Sequence, residues 1–236
     1  MELLDVWERG LRQSAADRAL ILLEEACERE DPAQLALGER DARLLTLREW
    51  TFGPEISALT TCPDCGVAQE LRFQTSEIRV FTPESPEPPL AVSVDKFQLE
   101  VRLPNSYDLR LLETCVAESD DPRMLILEHC LIRATRDGTP VAARDLPATV
   151  VDVIADRMAE ADPQGDIQLA LECFDCRRQW RAPIDIGSFF WDELQAWASR
   201  LLNEVHQLAS AYGWSEAAIL GMSPFRRNLY LNLIAE

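Results

Sequence analysis

Lysine is nearly missing from this sequence: of its 23 basic residues, 22 are arginine and Lys96 is the exception. Histidine occurs only at positions 129 and 206. Both histidines fall in helical patterns without ligand-spaced company, so each reads as a core or surface residue. No His-Glu-x-x-His, phosphate-loop, dinucleotide-glycine or nucleophile-elbow pattern occurs. Carboxylates are too abundant for any pair to stand out, and the chain is read as non-enzymatic. No apolar run approaches the ~18 residues of a membrane span. The opening Met1-Glu2-Leu3-Leu4-Asp5 lacks a basic region and an apolar signal core, so a cytoplasmic, unprocessed protein is expected. Base is also scarce relative to acid. Against 23 Lys and Arg stand 41 Asp and Glu, for a net charge of -18. Such a surface repels phosphate backbones and anionic lipid, which disfavours nucleic-acid and membrane partners.

What is present supports a packed protein. Of the 236 residues, 47% are hydrophobic, ample for a core in one large domain or two small ones. Residues 1–53 read as an N-terminal helical segment. Ser14 caps one stretch, Asp31-Pro32 signals a start, and a helix over Ala42 to Trp50 ends at Gly53-Pro54. Residues 82–89 hold four prolines and read as an extended linker. Residues 90–164 read as an inserted β/α segment. Its strand alternates Phe97, Leu99, Val101 and Leu103 on one side against Gln98, Glu100 and Arg102. Helices follow: one capped by Asn105 with Asp108, one from Asp121-Pro122 through about Ala134, and one over 147–161. Residues 187–236 read as a C-terminal helical segment. There Ser188 caps a helix burying Phe190, Leu194, Trp197, Leu201, Val205 and Leu208, and Ser223-Pro224 opens the last helix.

The strongest chemical signal is a matched pair of motifs, Cys62-Pro-Asp-Cys65 and Cys173-Phe-Asp-Cys176, each between short strands, Ile56–Thr61 with Ala68–Phe73 and Ile167–Leu171 with Gln179–Ile184. Two residues between cysteines let one turn aim both sulfurs at one ion, and four thiolates complete a closed, tetrahedral, structural Zn²⁺ site. Gly66 supplies the positive φ after the first pair, where Arg177 stands in the second. Arg177, Arg178 and Arg181 are placed to offset the site's negative charge. The pairs are separated by 107 residues, far more than the ~15–20 of a compact ribbon. The adopted reading is one split ribbon, residues 54–80 plus 165–186. A redox pair or unrelated reduced cysteines are the alternatives, and iron in place of zinc stays open. Cys27, Cys115 and Cys130 read as buried fillers. The fold class is therefore α+β: mostly helical, with a small split four-cysteine zinc ribbon of two β-hairpin knuckles and an inserted β/α segment.

Ten of the 17 aromatic residues fall between Phe174 and Tyr230. Phe189, Phe190 and Trp191 are consecutive and span about 200° of a helix. Either that helix is buried on two sides or part of the cluster meets a partner. The string Phe189-Phe190-Trp191, Trp197, Leu201-Leu202, Glu204-Val205-His206, Tyr212-Gly213-Trp214, Met222-Ser223-Pro224 and Arg226-Arg227, with the knuckles and Arg102-Leu103-Pro104, resembles the T-even phage type baseplate hub proteins and assembly chaperones. Relatives of these occur in contractile injection systems. The resemblance covers residues 40–236. It implies a structural component or assembly chaperone of the baseplate hub of a phage-tail-like particle, with hub or spike proteins as partners. Phe189, Trp191, Trp197, Trp214, Arg226 and Arg227 are the candidate partner-binding residues. The alternative is a zinc-ribbon regulatory protein that binds nucleic acid or protein through its C-terminal helices.

Overall fold

The computed structural model describes residues 3–24, 31–80, 89–115 and 121–235. Most of the proline-rich stretch, Cys27 and the side chain of Cys115 lie outside the described residues. The chain divides into two compact units, Arg12–Phe190 and Met1–Leu11 with Trp191–Glu236.

Helix α1 (Leu3–Gly10) belongs to the smaller unit, and the larger unit opens with α2 (Ala15–Glu24). Ser14 Oγ accepts the Asp17 amide at 3.2 Å, the expected cap. Asp31 accepts the Ala33 amide at 3.0 Å and starts a 3₁₀ turn, Pro32–Gln34. The helix expected over Ala42 to Trp50 is longer, α3 (Leu37–Phe52). Its early start needs Gly38. A Cβ there would collide with the Asp162 carboxylate and reach 2.9 Å from the Gly165 amide. The Gly38 amide instead donates to Asp162 Oδ2 at 2.8 Å. Gly53, at φ 89°, ends the helix.

The first hairpin is β1 (Glu55–Thr61) with β2 (Ala68–Gln74), followed by the one-turn α4 (Thr75–Ile78). A four-stranded antiparallel sheet comes next, β3 (Leu90–Val94), β4 (Phe97–Val101), β5 (Leu131–Arg136) and β6 (Thr139–Pro140), in that spatial order. Between β4 and β5 lie α5 (Ser106–Cys115) and α6 (Pro122–Cys130). The helix expected to run through Ala134 stops at Cys130, because Leu131 to Arg136 pair with β4: Ala134 faces Leu99 and Arg136 faces Phe97. The missed signal is Asp137-Gly138. With φ of 50° and 82°, it is the two-residue turn that closes a hairpin onto β6. The alternation read along β4 holds, with Phe97, Leu99 and Val101 buried. Helix α7 (Ala148–Ala161) lays Val150 and Ile154 on that face, against Val92, Leu99, Val101, Leu127 and Ala134. Each such fully buried aliphatic side chain contributes about 1.5–3 kcal/mol.

The second hairpin, β7 (Gln168–Glu172) with β8 (Gln179–Pro183), leads into α8 (Ile186–Tyr212). The cap is Asp185 rather than Ser188. The Asp185 carboxylate accepts the Ser188 amide at 3.2 Å and its hydroxyl at 2.7 Å. Phe190 meets Phe52 edge-on, ring centres 6.0 Å apart.

In the smaller unit, Ala198 and Leu201 of α8 pack with Leu4 of α1. Gly213, at φ 70°, stops α8. Ser215 accepts the Ala218 amide and caps α9 (Glu216–Leu220). Helix α10 (Pro224–Ala235) follows, its start capped by Ser223 Oγ at 3.3 Å from the Arg226 amide. Ile219, Val205 and Leu208 form a second cluster joined by Trp214, Tyr230 and Leu231. Among the described residues no helix is long and apolar enough to cross a membrane.

Candidate metal centre

The two hairpins turn on equivalent six-residue loops, 62–67 and 173–178. In the first, the Cys62 amide donates to Val67 O at 2.9 Å and the Gly66 amide to Cys62 O at 3.0 Å. In the second, the Cys173 amide donates to Arg178 O at 2.8 Å and the Arg177 amide to Cys173 O at 3.0 Å. Gly66 sits at φ 73° and Arg177 at φ 63°, so both loops take the left-handed step after the second cysteine. Only Gly does so without steric cost. The backbones are thus the same knuckle, used twice.

The loops bring four sulfurs together from across the insertion. Cys62 Sγ lies 3.6 Å from Cys176 Sγ, and Cys65 Sγ lies 3.6 Å from Cys173 Sγ. All four sulfurs lie within 4.8 Å of one another. A tetrahedron with metal–sulfur arms of ~2.3 Å has sulfur–sulfur edges of about 3.8 Å, and the cluster has that size. None of these four sulfurs is in a disulfide. Cys62 and Cys173 are buried and Cys65 and Cys176 exposed, so the site sits at the surface with its inner half covered.

The donor set fits a soft divalent cation. The amides of Cys65 and then Asp64 point at the Cys62 sulfur and lower its thiol to about 7. At Cys176 the Arg178 amide also pulls downward, but partial desolvation and the three neighbouring thiols outweigh it, and the thiol is pushed up to about 12. Four thiolates this close repel one another unless a cation sits among them. Of the arginines expected to offset that charge, Arg177 pairs with Glu172 at 3.2 Å. The Gln69 side chain donates to Glu172 O at 3.4 Å, a further link between the hairpins.

Two buried polar side chains fix the approach to the centre. Arg48 donates to Gly53 O at 2.6 Å and Glu55 O at 2.7 Å, under the Phe189 ring at 5.8 Å. It ties α3 to β1. Gln164 accepts the Val80 amide at 2.6 Å and so joins the chain leaving the first hairpin to the chain approaching the second. Neither carried a sequence signal, since an isolated Arg or Gln in an acidic chain looks like surface.

Cys130 is buried, and burial pushes its thiol up to about 12; it is the inert filler the sequence suggested. The His129 ring meets its own helix at Leu125 O, 3.0 Å away. Of the six expected partner-binding residues, Phe189 belongs to the larger unit and the other five to the smaller. Phe189 lies over Arg48. Trp191 is 3% exposed, packed where a Cβ on Gly10 would strike it. Trp197 is half-buried beside Leu4 and Leu201. Trp214 stacks on Tyr212, ring centres 4.5 Å apart. Arg227 is buried, donating to Glu204 at 3.0 Å and Met222 O at 2.8 Å. Arg226 is exposed above the Tyr230 ring. Sequence reasoning missed Phe225, Leu229 and Leu233, all exposed on α10.

A family model described as T4 bacteriophage base plate protein matches residues 11–191. That range coincides with the larger unit to within one residue at each end. It contains both knuckles but stops before most of the C-terminal string on which the resemblance was drawn. No curated protein and no solved structure matches the chain.

Proposed function

Because this chain belongs to the family of T4 bacteriophage base plate proteins, we propose that it is a non-enzymatic component or assembly chaperone of the baseplate hub in a contractile, phage-tail-like particle, and that its four cysteines hold a structural Zn²⁺. The family match supports a baseplate role; the hub and chaperone assignments are the finer part of the proposal. The clustering of Cys62, Cys65, Cys173 and Cys176 supports the structural metal, since a closed four-thiolate site leaves no open position for substrate. The metal's role is mechanical: it fastens two hairpins that are far apart in sequence, and closing so long a loop removes freedom from the unfolded chain. A structural zinc of this kind is worth an apparent ~10–16 kcal/mol in small modules. A carrier or scaffold of this sort has hub or spike proteins as its partners.

The particle reading is tested by probing purified particles and soluble assembly intermediates for the chain with an antibody. Presence in either supports it, and presence in intermediates alone selects the chaperone role. Absence from both overturns it. The competing reading, a regulator that binds nucleic acid, requires a steep fall in DNA affinity with salt. Arg227 is already engaged by Glu204, which leaves Arg226 as the cation of α10 able to reach a phosphate.

A further inference from the structure

Helix α10 is apolar on two sides. On one, Tyr230 and Leu231 join the cluster of Val205, Leu208 and Ile219, which the fold requires. On the other, Phe225, Leu229 and Leu233 are 75%, 50% and 61% exposed. Single exposed apolar residues are ordinary. These three stand at i, i+4 and i+8, one above another on a helix, and form a ridge about 12 Å long. The fold gains nothing from them.

Charge at the ridge is as unusual as its polarity. In a chain with 41 acids, residues 217–235 contain none. Arg226 flanks the ridge on one edge, exposed, its guanidinium 5.9 Å from the centre of the Tyr230 ring; among the described residues it has no ion pair. Asn228 and Asn232 flank the other edge, both exposed. Among the described residues of α10 the face is therefore an apolar ridge with one cation and no carboxylate. A second copy packed on it through the same face brings no carboxylate from 217–235 for Arg226.

We propose that the outer face of α10 seats an amphipathic helix of another protein, one whose apolar seam is bordered by carboxylates that meet Arg226. The inference rests on the baseplate reading and names the chemistry of the component held. The family match ends at residue 191, before α10 begins, so it does not assign this face. The mode is helix-in-groove recognition, with anchors one turn apart.

The test uses the purified full chain and two synthetic helices of about 20 residues with one leucine seam, flanked by Glu in one and by Lys in the other. Fluorescence anisotropy is expected to show the Glu peptide binding about tenfold tighter or better. Leu229→Asp abolishes that binding, and Arg226→Glu reverses the preference between peptides. Both positions are exposed, so an unchanged melting temperature confirms that each variant folds. Equal binding of the two peptides overturns the proposal, as does indifference to Leu229→Asp. So does a dimer in sedimentation that Leu229→Asp dissolves. Loss of peptide selectivity in a chain still found in particles overturns the α10 assignment alone, whereas absence from particles overturns the earlier reading.

Discussion

At Arg177 the backbone stands at φ 63°, a conformation that costs a non-glycine residue about 1–2 kcal/mol. The equivalent position in the other knuckle is Gly66. The ion pair of Arg177 with Glu172 is exposed and returns little. Arg177→Gly is therefore expected to stabilise the metal-loaded protein by about 0.5–1 kcal/mol, net of the freedom glycine adds to the unfolded chain, and thermal melts should rise by about 1–4 °C. Gly66→Ala is the converse and lowers the melt. A second residue-scale effect lies at Asp41. Burial raises its carboxyl to about 6, against the pull of Arg40, whose guanidinium sits 2.7 Å away. The folded state then binds a proton near pH 5 that the unfolded state does not. This group's contribution to stability consequently falls as pH rises from about 4 to about 6, at up to about 1.4 kcal/mol per pH unit. Urea melts of wild type and Asp41→Asn at fixed metal concentration isolate it: the stability difference should shift in favour of wild type as pH drops through that window.

Elements are held in place by buried polar groups whose partners are backbone atoms. Arg48 joins the end of α3 to the start of β1 through Gly53 O and Glu55 O. Arg48→Met keeps the volume but strips both carbonyls of a charged donor, and is expected to destabilise by about 3 kcal/mol, read as a lower denaturation midpoint. The seam between α3 and the 3₁₀ turn at Pro163–Gly165 depends instead on the absence of a side chain. Gly38→Ala places a methyl against Asp162 and Gly165 and should cost about 1–3 kcal/mol. Local signals located α7, β1, β2, β4 and α10, the last from its Ser223-Pro224 start, because spacing and caps act within a few residues. It overran α6 because Leu131 to Arg136 are decided by pairing with β4, whose partner residue is 30 positions earlier at Leu131 (Val101) and 39 earlier at Arg136 (Phe97). The turn residues Asp137-Gly138 were the available local clue.

For the whole molecule, the decisive contact joins four sulfurs across the 107-residue separation. One metal ion per chain is expected by mass spectrometry of the metal content. Chelation, or Cys62→Ser or Cys173→Ser, should lower the melting temperature of the larger unit as a whole, while Cys130→Ser leaves the metal content intact. An unchanged melt after chelation would show that the hairpins hold without the ion. The sequence by itself determined the ligand chemistry, the knuckle turns, the lack of known catalytic motifs and most helices, because residue type, spacing of two or four, and caps act within a turn or two of the chain. Only tertiary structure decided that both cysteine pairs address one point, that Arg48 and Gln164 are buried braces, that Trp191 and Arg227 face inward, and that α10 turns a second apolar ridge outward. Each of these depends on which distant segments meet, and burial is a property of that meeting rather than of any residue alone.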